Sequence, residues 1–175
     1  MEIVMTVVAE AKHETELYHQ LKNKIDSMTA SVGVIGLGYV GLPFLVEKAK
    51  VGLSVFGFDR CQNRINSLVN KKSYIDDISD NDLATIIENG KVELTTEVSR
   101  LSEPDILVIC VPTPLDKNHC PDLSMVIAVC EQIQKSLRPG QMVSLESTTY
   151  PGTTEEVIKP ILEKSGLTVG KDIFL

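Results

Sequence analysis

Residues 31–41 read Ser-Val-Gly-Val-Ile-Gly-Leu-Gly-Tyr-Val-Gly. The first five form a short apolar run of the kind that makes a buried strand, and the segment from residue 41 has the spacing of a helix. Gly36, Gly38 and Gly41 therefore form a G-x-G-x-x-G pattern between a strand and a helix, which is the context this fingerprint requires. Gly36 permits a tight turn, Gly38 lets the backbone approach a pyrophosphate, and Gly41 lets helix and sheet close on each other. The helix N-terminus offers free N–H groups and the positive end of its dipole to phosphates.

The second half of the fingerprint is an acid at the end of the next strand. Residues 54–59 read Ser-Val-Phe-Gly-Phe-Asp. Placed there, the Asp59 carboxylate accepts hydrogen bonds from an adenosine ribose and repels a 2′-phosphate, which favours NAD over NADP. Arg60 and Arg64 work against that preference, because an arginine here pairs with a 2′-phosphate or stacks on adenine. The plainer reading of Asp59 is a strand-end turn residue. With both halves of the fingerprint present, dinucleotide binding is the reading adopted.

Outward from this unit the texture keeps alternating. Strands are expected over 31–35, 54–59, 92–95, 105–111 and 141–146, with a further one beginning at 172. Helices are expected over 41–51, 62–70, 80–89, 124–136 and 154–164. The run Asp-Ile-Leu-Val-Ile-Cys-Val at 105–111 is nearly all apolar, the mark of a strand buried on both faces. Such alternation predicts an α/β fold of Rossmann type: a doubly wound, mostly parallel sheet with helices on both faces, plus an N-terminal helix. Residues 1–30 differ from the rest. Leu17, Leu21, Ile25 and Met28 recur at helical spacing among charged residues, so 1–30 reads as an amphipathic helical leader and 31–175 as the dinucleotide-binding domain. The leader's apolar stripe is expected to be buried, on its own domain or on a partner.

Two loops at expected strand ends carry polar groups. Val111-Pro112-Thr113-Pro114 follows the strand at 105–111, and its prolines impose an extended path. Thr113 there is placed to hydrogen-bond a cofactor, though the same residues suit a plain rigid turn. Glu146-Ser147-Thr148-Thr149-Tyr150-Pro151-Gly152-Thr153-Thr154 leads from a strand into a helix that Thr153 or Thr154 would cap. Its hydroxyls suit a nicotinamide or a water, and equally suit turn chemistry.

Composition narrows the class. The chain has 175 residues, 43% of them hydrophobic, and a formal net charge of −7. This is ordinary globular composition, and an acidic balance argues against a nucleic-acid partner. No apolar run suffices to span a bilayer and no signal-peptide layout opens the chain, so a cytoplasmic protein with no membrane association is expected. Cys61, Cys110, Cys120 and Cys130 include no C-x-x-C pair. With His13, His19 and His119 they make no zinc-ligand spacing, so no metal site is expected. The adjacent His119 and Cys120 read more simply as a solvated loop. The acid-rich stretch 76–82 lacks the glycine and terminal glutamate of a calcium loop, and there Ser79 or Asp80 is expected to cap a helix.

Taken in order, G-L-G-Y-V-G-L-P, the strand-end Asp59, V-P-T-P-L and E-S-T-T-Y-P-G-T-T resemble the UDP-glucose/GDP-mannose dehydrogenase family. The resemblance covers about residues 31–175. It is strongest to the branch that oxidises UDP-N-acetyl-hexosamines, because 144–156 matches that branch well. The resemblance implies an NAD-dependent double oxidation of a sugar C6 alcohol to a carboxylate, with UDP-N-acetylglucosamine or UDP-N-acetylmannosamine as the expected substrate. It places Gly36, Gly38, Tyr39, Val40, Gly41, Asp59, Arg64, Val111, Pro112, Thr113, Ser147 and Thr148 at NAD-contacting positions. Thr148 also falls on a threonine that positions the hydrolytic water. A homo-oligomer is implied for the full-length enzyme.

The departures are equally specific. The family's catalytic glutamate, lysine, asparagine and thioester-forming cysteine, and its nucleotide-binding C-terminal domain, find no counterpart in these residues. Cys110 lies inside an apolar strand and reads as core. The chain is therefore expected to be a fragment that binds the cofactor without catalysing alone. Two other readings remain open: another NAD(P)-dependent dehydrogenase domain, or a non-enzymatic NAD-binding module.

Overall fold

A computed structural model of the chain describes residues 16–115, 117 and 121–175. Five parallel strands make one sheet: Ser31–Ile35 (β1), Ser54–Phe58 (β2), Val92–Thr95 (β3), Ile106–Ile109 (β4) and Met142–Leu145 (β5). Their order across the sheet is β3-β2-β1-β4-β5. Register is tight at the centre, where Val34 stands between Gly57 on β2 and Val108 on β4. Beyond β5, Phe174 forms a single parallel bridge to Met142. The Phe174 amide donates to the Gln141 carbonyl at 2.9 Å and its own carbonyl accepts from Val143 at 2.8 Å. The strand expected from residue 172 is thus one bridge in a sixth-strand position.

The helices are residues 16–26 (α1), Gly41–Lys50 (α2), Gln62–Val69 (α3), Asp80–Glu88 (α4), Ser124–Ser136 (α5) and Lys159–Leu162 (α6). Successive strand residues point to opposite faces, and both faces are apolar. On one, Val32, Val34, Val55 and Val108 meet Leu42, Leu45 and Val46 of α2, Ile65 and Leu68 of α3, and Leu83 and Ile86 of α4. On the other, Ile35, Leu107, Ile109 and Val143 meet Val126 and Ile133 of α5 and Ile161 and Leu162 of α6. Each such aliphatic side chain contributes roughly 1.5–3 kcal/mol relative to leaving it in water. Helices on both faces of a parallel sheet make the Rossmann-type fold expected. Ser79 caps α4 as expected, its hydroxyl accepting from the Asp82 amide at 3.0 Å.

Two local expectations change. Residues 154–164 are not one regular α-helix: Thr154–Ile158 is a π-helical turn, α6 follows, and Glu163–Ser165 tightens to 3-10 geometry. Pro160 has no N–H to give residue 156 and its ring crowds that carbonyl, which accounts for the widened turn before it. Nor does Thr153 cap this helix; its hydroxyl donates backwards to the Tyr150 carbonyl at 2.8 Å. The segment Val98–Ser102 is a 3-10 helix anchored by buried Leu101.

The leader's helix is present, and its own domain covers its stripe in part. In α1 only Leu21 of the apolar stripe is buried, while Ile25 is 41% exposed and Met28, just past the helix, 48%. Met28 takes a left-handed φ of 57°, which ends the helix and turns its side chain out of the stripe. Polar contacts hold the helix in addition to Leu21. Lys24 Nζ donates to Asp105 at 2.7 Å, and Asp105 also accepts from the Ser31 amide and from Arg138 at 3.1 Å each. Burial opposes ionisation of Asp105, but the hydrogen bonds from Lys24, Ser31 and Arg138 outweigh it and hold the carboxyl below the usual range. Residues 1–15 of the expected leader, with His13, lie outside the described residues, as do His119 and Cys120.

Candidate functional site

From β1 the chain winds outward to β2 and β3, then returns to β4 on the other side of β1. The loops that leave β1 and β4 run apart, and between them opens the crevice where open α/β sheets bind ligands. Gly36 enters the loop with its amide on the Phe58 carbonyl at 2.8 Å and a φ of 92°. A Cβ there would stand 2.8 Å from the Cys110 carbonyl oxygen, so the turn is both left-handed and tight. A Cβ at Gly41 would come within 1.9 Å of the Gly36 oxygen. A Cβ at Gly38 would meet nothing within 4 Å. The protein's own packing thus requires glycine at 36 and 41 but makes no such demand at 38, where the loop leaves a cradle that a side chain would fill.

The cradle is electropositive. No side chain caps the N-terminus of α2 and its first turn holds no acid. No acceptor among the described residues takes the amides of Gly38, Tyr39, Val40 or Gly41. Free amides and the dipole end together suit an anion. Tyr39 and Val40 are exposed at its lip.

Asp59 lies one residue beyond β2, and its side chain is almost wholly buried. One carboxylate oxygen accepts from the Leu37 amide at 3.0 Å and from Arg64 Nη1 at 3.2 Å. The other accepts from the Cys61 amide at 2.8 Å. An ionised carboxylate offers about four lone-pair sites, so these three donors leave capacity for a ribose hydroxyl. Arg64 also lies over the Tyr74 ring, 5.6 Å from its centroid. Arg60 points to solvent. Gly38, Tyr39, Asn63, Arg64, Ser67, Tyr74 and Ile75 line a cleft of about 340 Å³. Asn63, Ser67, Tyr74 and Ile75 were not among the expected site residues, since none belongs to the fingerprint. Asn63 and Ser67 have a signal in the helical spacing of α3, on whose rim Arg64 also stands. Tyr74 has none, lying 37 positions from its partner Leu37.

Across the crevice the loops after β4 and β5 are tied together. Thr113 donates its hydroxyl to the Thr148 carbonyl at 2.6 Å, and Ser147 donates to the Val111 carbonyl at 2.7 Å. Both hydroxyl protons are thereby used, and their oxygens remain as acceptors. The exposed Thr148 hydroxyl has no partner among the described residues. Pro112 is exposed beside Thr113, and Val111 is half-buried at the base of the loop. The fold therefore brings the expected residues to one edge of the sheet in two groups: the glycine loop with Asp59 and Arg64, and Val111–Thr113 with Ser147 and Thr148. Cys110 lies beneath the glycine loop, where burial pushes its thiol up to about 11; burial likewise pushes Cys130 up to about 12. Neither is a thiolate at neutral pH.

Comparison with known proteins gives the family and the fold. The sequence model of the UDP-glucose/GDP-mannose dehydrogenase family, NAD binding domain, matches residues 30–174. Protein CapL of Staphylococcus aureus is 40% identical over 149 residues, 85% of this chain and 34% of that protein. The UDP-N-acetyl-D-glucosamine 6-dehydrogenase of Pseudomonas aeruginosa is 42% identical over 144 residues, 82% of this chain and 33% of that protein. Among solved structures, UDP-D-ManNAc dehydrogenase from Pyrococcus horikoshii superposes with a TM-score of 0.76 at 34% identity, over 82% of this chain and 34% of that one. The chain spans about a third of the length of these relatives. No helix among the described residues is long and apolar enough to cross a membrane.

Proposed function

Since the chain belongs to the UDP-glucose/GDP-mannose dehydrogenase family and carries its NAD-binding domain, we propose that it holds NAD for the oxidation of a UDP-N-acetylhexosamine to the corresponding uronate. UDP-N-acetylglucosamine and UDP-N-acetylmannosamine are the substrates in view, because the relatives named for them are 42% and 34% identical to this chain over the aligned stretch. The cofactor, when bound, supplies the acceptor for hydride from the sugar C6.

This chain's residues bind and orient. In this reading the amides of Gly38, Tyr39, Val40 and Gly41, reached through the turn at Gly36, hold the pyrophosphate. Asp59 takes a ribose hydroxyl and Arg64 closes the adenosine side. Val111, Pro112, Thr113 and Ser147 form the opposite wall, where the hydroxyl oxygens accept from the nicotinamide carboxamide. Thr148 holds a water at the same edge through its hydroxyl, which has no partner among the described residues. Residues 31–175 are the cofactor domain, and residues 1–30 its leader.

The observation that carries the cofactor assignment is the open cradle at Gly38 beside an uncapped helix N-terminus. Titration of the purified chain with NADH and NADPH, followed by nicotinamide fluorescence, tests it. NADH should bind saturably and more tightly than NADPH. Absence of saturable NADH binding overturns the reading, and tighter NADPH binding transfers the ribose pocket from Asp59 to Arg60 and Arg64.

A further inference from the structure

Leu37 lies between the first two glycines of the loop, and both of its peptide groups are pinned. Its amide donates to Asp59 at 3.0 Å. Its carbonyl accepts from the Tyr74 hydroxyl at 2.6 Å. That carbonyl belongs to the same peptide unit as the Gly38 amide. A trans peptide is planar, with C=O and N–H pointing in opposite directions, so fixing the carbonyl aims the amide. The Gly38 amide has no acceptor among the described residues and stands beside the open cradle.

From this arrangement we propose that Tyr74 is a positioning residue for the cofactor's pyrophosphate, acting through the Leu37–Gly38 peptide. The proposal rests on the NAD reading above. Tyr74 touches the peptide and not the phosphates. Its hydroxyl keeps the carbonyl turned away from the anion site, so that the N–H and not the oxygen faces the negative charge. The ring is held from the other side by Arg64, which is itself paired with Asp59. The contacts close a circuit: Leu37 amide, Asp59, Arg64, Tyr74, Leu37 carbonyl. Burial first, and then the Asp59 charge, push the phenol up to about 12, so it stays a donor at every pH of practical use.

Tyr74→Phe is the test, because it keeps the ring under Arg64 and removes only the O–H. NADH affinity is read by fluorescence. Adenosine, which has no phosphate, is read by its competition with NADH. Tyr74→Phe should weaken NADH by about threefold to tenfold, the worth of one hydrogen bond, and leave the adenosine inhibition constant as in the parent. Equal NADH affinity in variant and parent overturns the proposal. So does an equal loss for NADH and adenosine, which would make Tyr74 only a wall of the cleft. A parent chain that binds no NADH is a different failure: it overturns the cofactor reading and this proposal with it.

Discussion

Gly38 and Gly41 are three residues apart, yet a methyl group meets opposite fates at the two. At Gly41 it would stand 1.9 Å from the Gly36 oxygen, and α2 would have to move off the sheet. Gly41→Ala should therefore lower the urea midpoint, by about 1–3 kcal/mol of stability or more, as overpacking does. At Gly38 it would enter open space. Gly38→Val should keep the parent's urea midpoint and lose NADH binding. A Gly38→Val protein that binds NADH as the parent does removes the phosphates from this loop. Asp59→Ala should do both kinds of damage. It strips the acceptor from the buried Leu37 amide, at about 1–3 kcal/mol for a buried group left unpaired, and from the part-buried Cys61 amide, and it removes the ribose acceptor. Full stability in that variant would contradict the hydrogen bonds described. The glycines and Asp59 were legible in the sequence because their spacing is local. The second task of Asp59 and the role of Tyr74 were not, because each depends on a loop many positions away in the chain.

Asp105 shows how segments far apart in sequence are fastened together. It joins α1 through Lys24, β1 through Ser31 and the turn before β5 through Arg138. Its carboxyl titrates below its unfolded value, so between the two values the unfolded chain binds the extra proton. Stability from Asp105 is thus complete above about pH 4, the unfolded range, and is lost as the pH falls through the folded value. Acid unfolding followed by circular dichroism should show this loss, and Asp105→Asn should flatten it. An unchanged acid limb in Asp105→Asn would exclude Asp105 as its source. The strands were read correctly because apolar runs bounded by Gly, Pro and Asp are punctuated locally. The segment at 154–164 was misread because apolar period was weighed and Pro160 was not. The leader's helix was legible from its spacing, but the part of the expectation that concerned its own domain holds at Leu21 and not at Ile25 and Met28, which are exposed, while Lys24 adds an ion pair that spacing does not show.

The sheet divides its edges by task. Strand ends carry the glycine loop, Asp59 and the two tied loops, while strand starts carry α1 and the Asp105 contacts. Binding the cofactor and oxidising the sugar twice are separate requirements. A second oxidation at one carbon needs the aldehyde trapped, and in the family a thiolate does this. Among the described residues, Cys110 and Cys130 are buried thiols with raised pKa values, and Cys61 lies beside Asp59 at the adenosine side. Mixing the chain with NAD and UDP-N-acetylglucosamine should therefore give no NADH absorbance above background; steady turnover would overturn this expectation. The placement of α1 has a practical side as well. Its exposed residues Gln20 and Asn23 lie on the rim opposite the crevice. A biosensor chip or fluorophore attached there would leave the mouth open to solution, so the protein can be displayed on a surface with its ligand-reading edge facing outward.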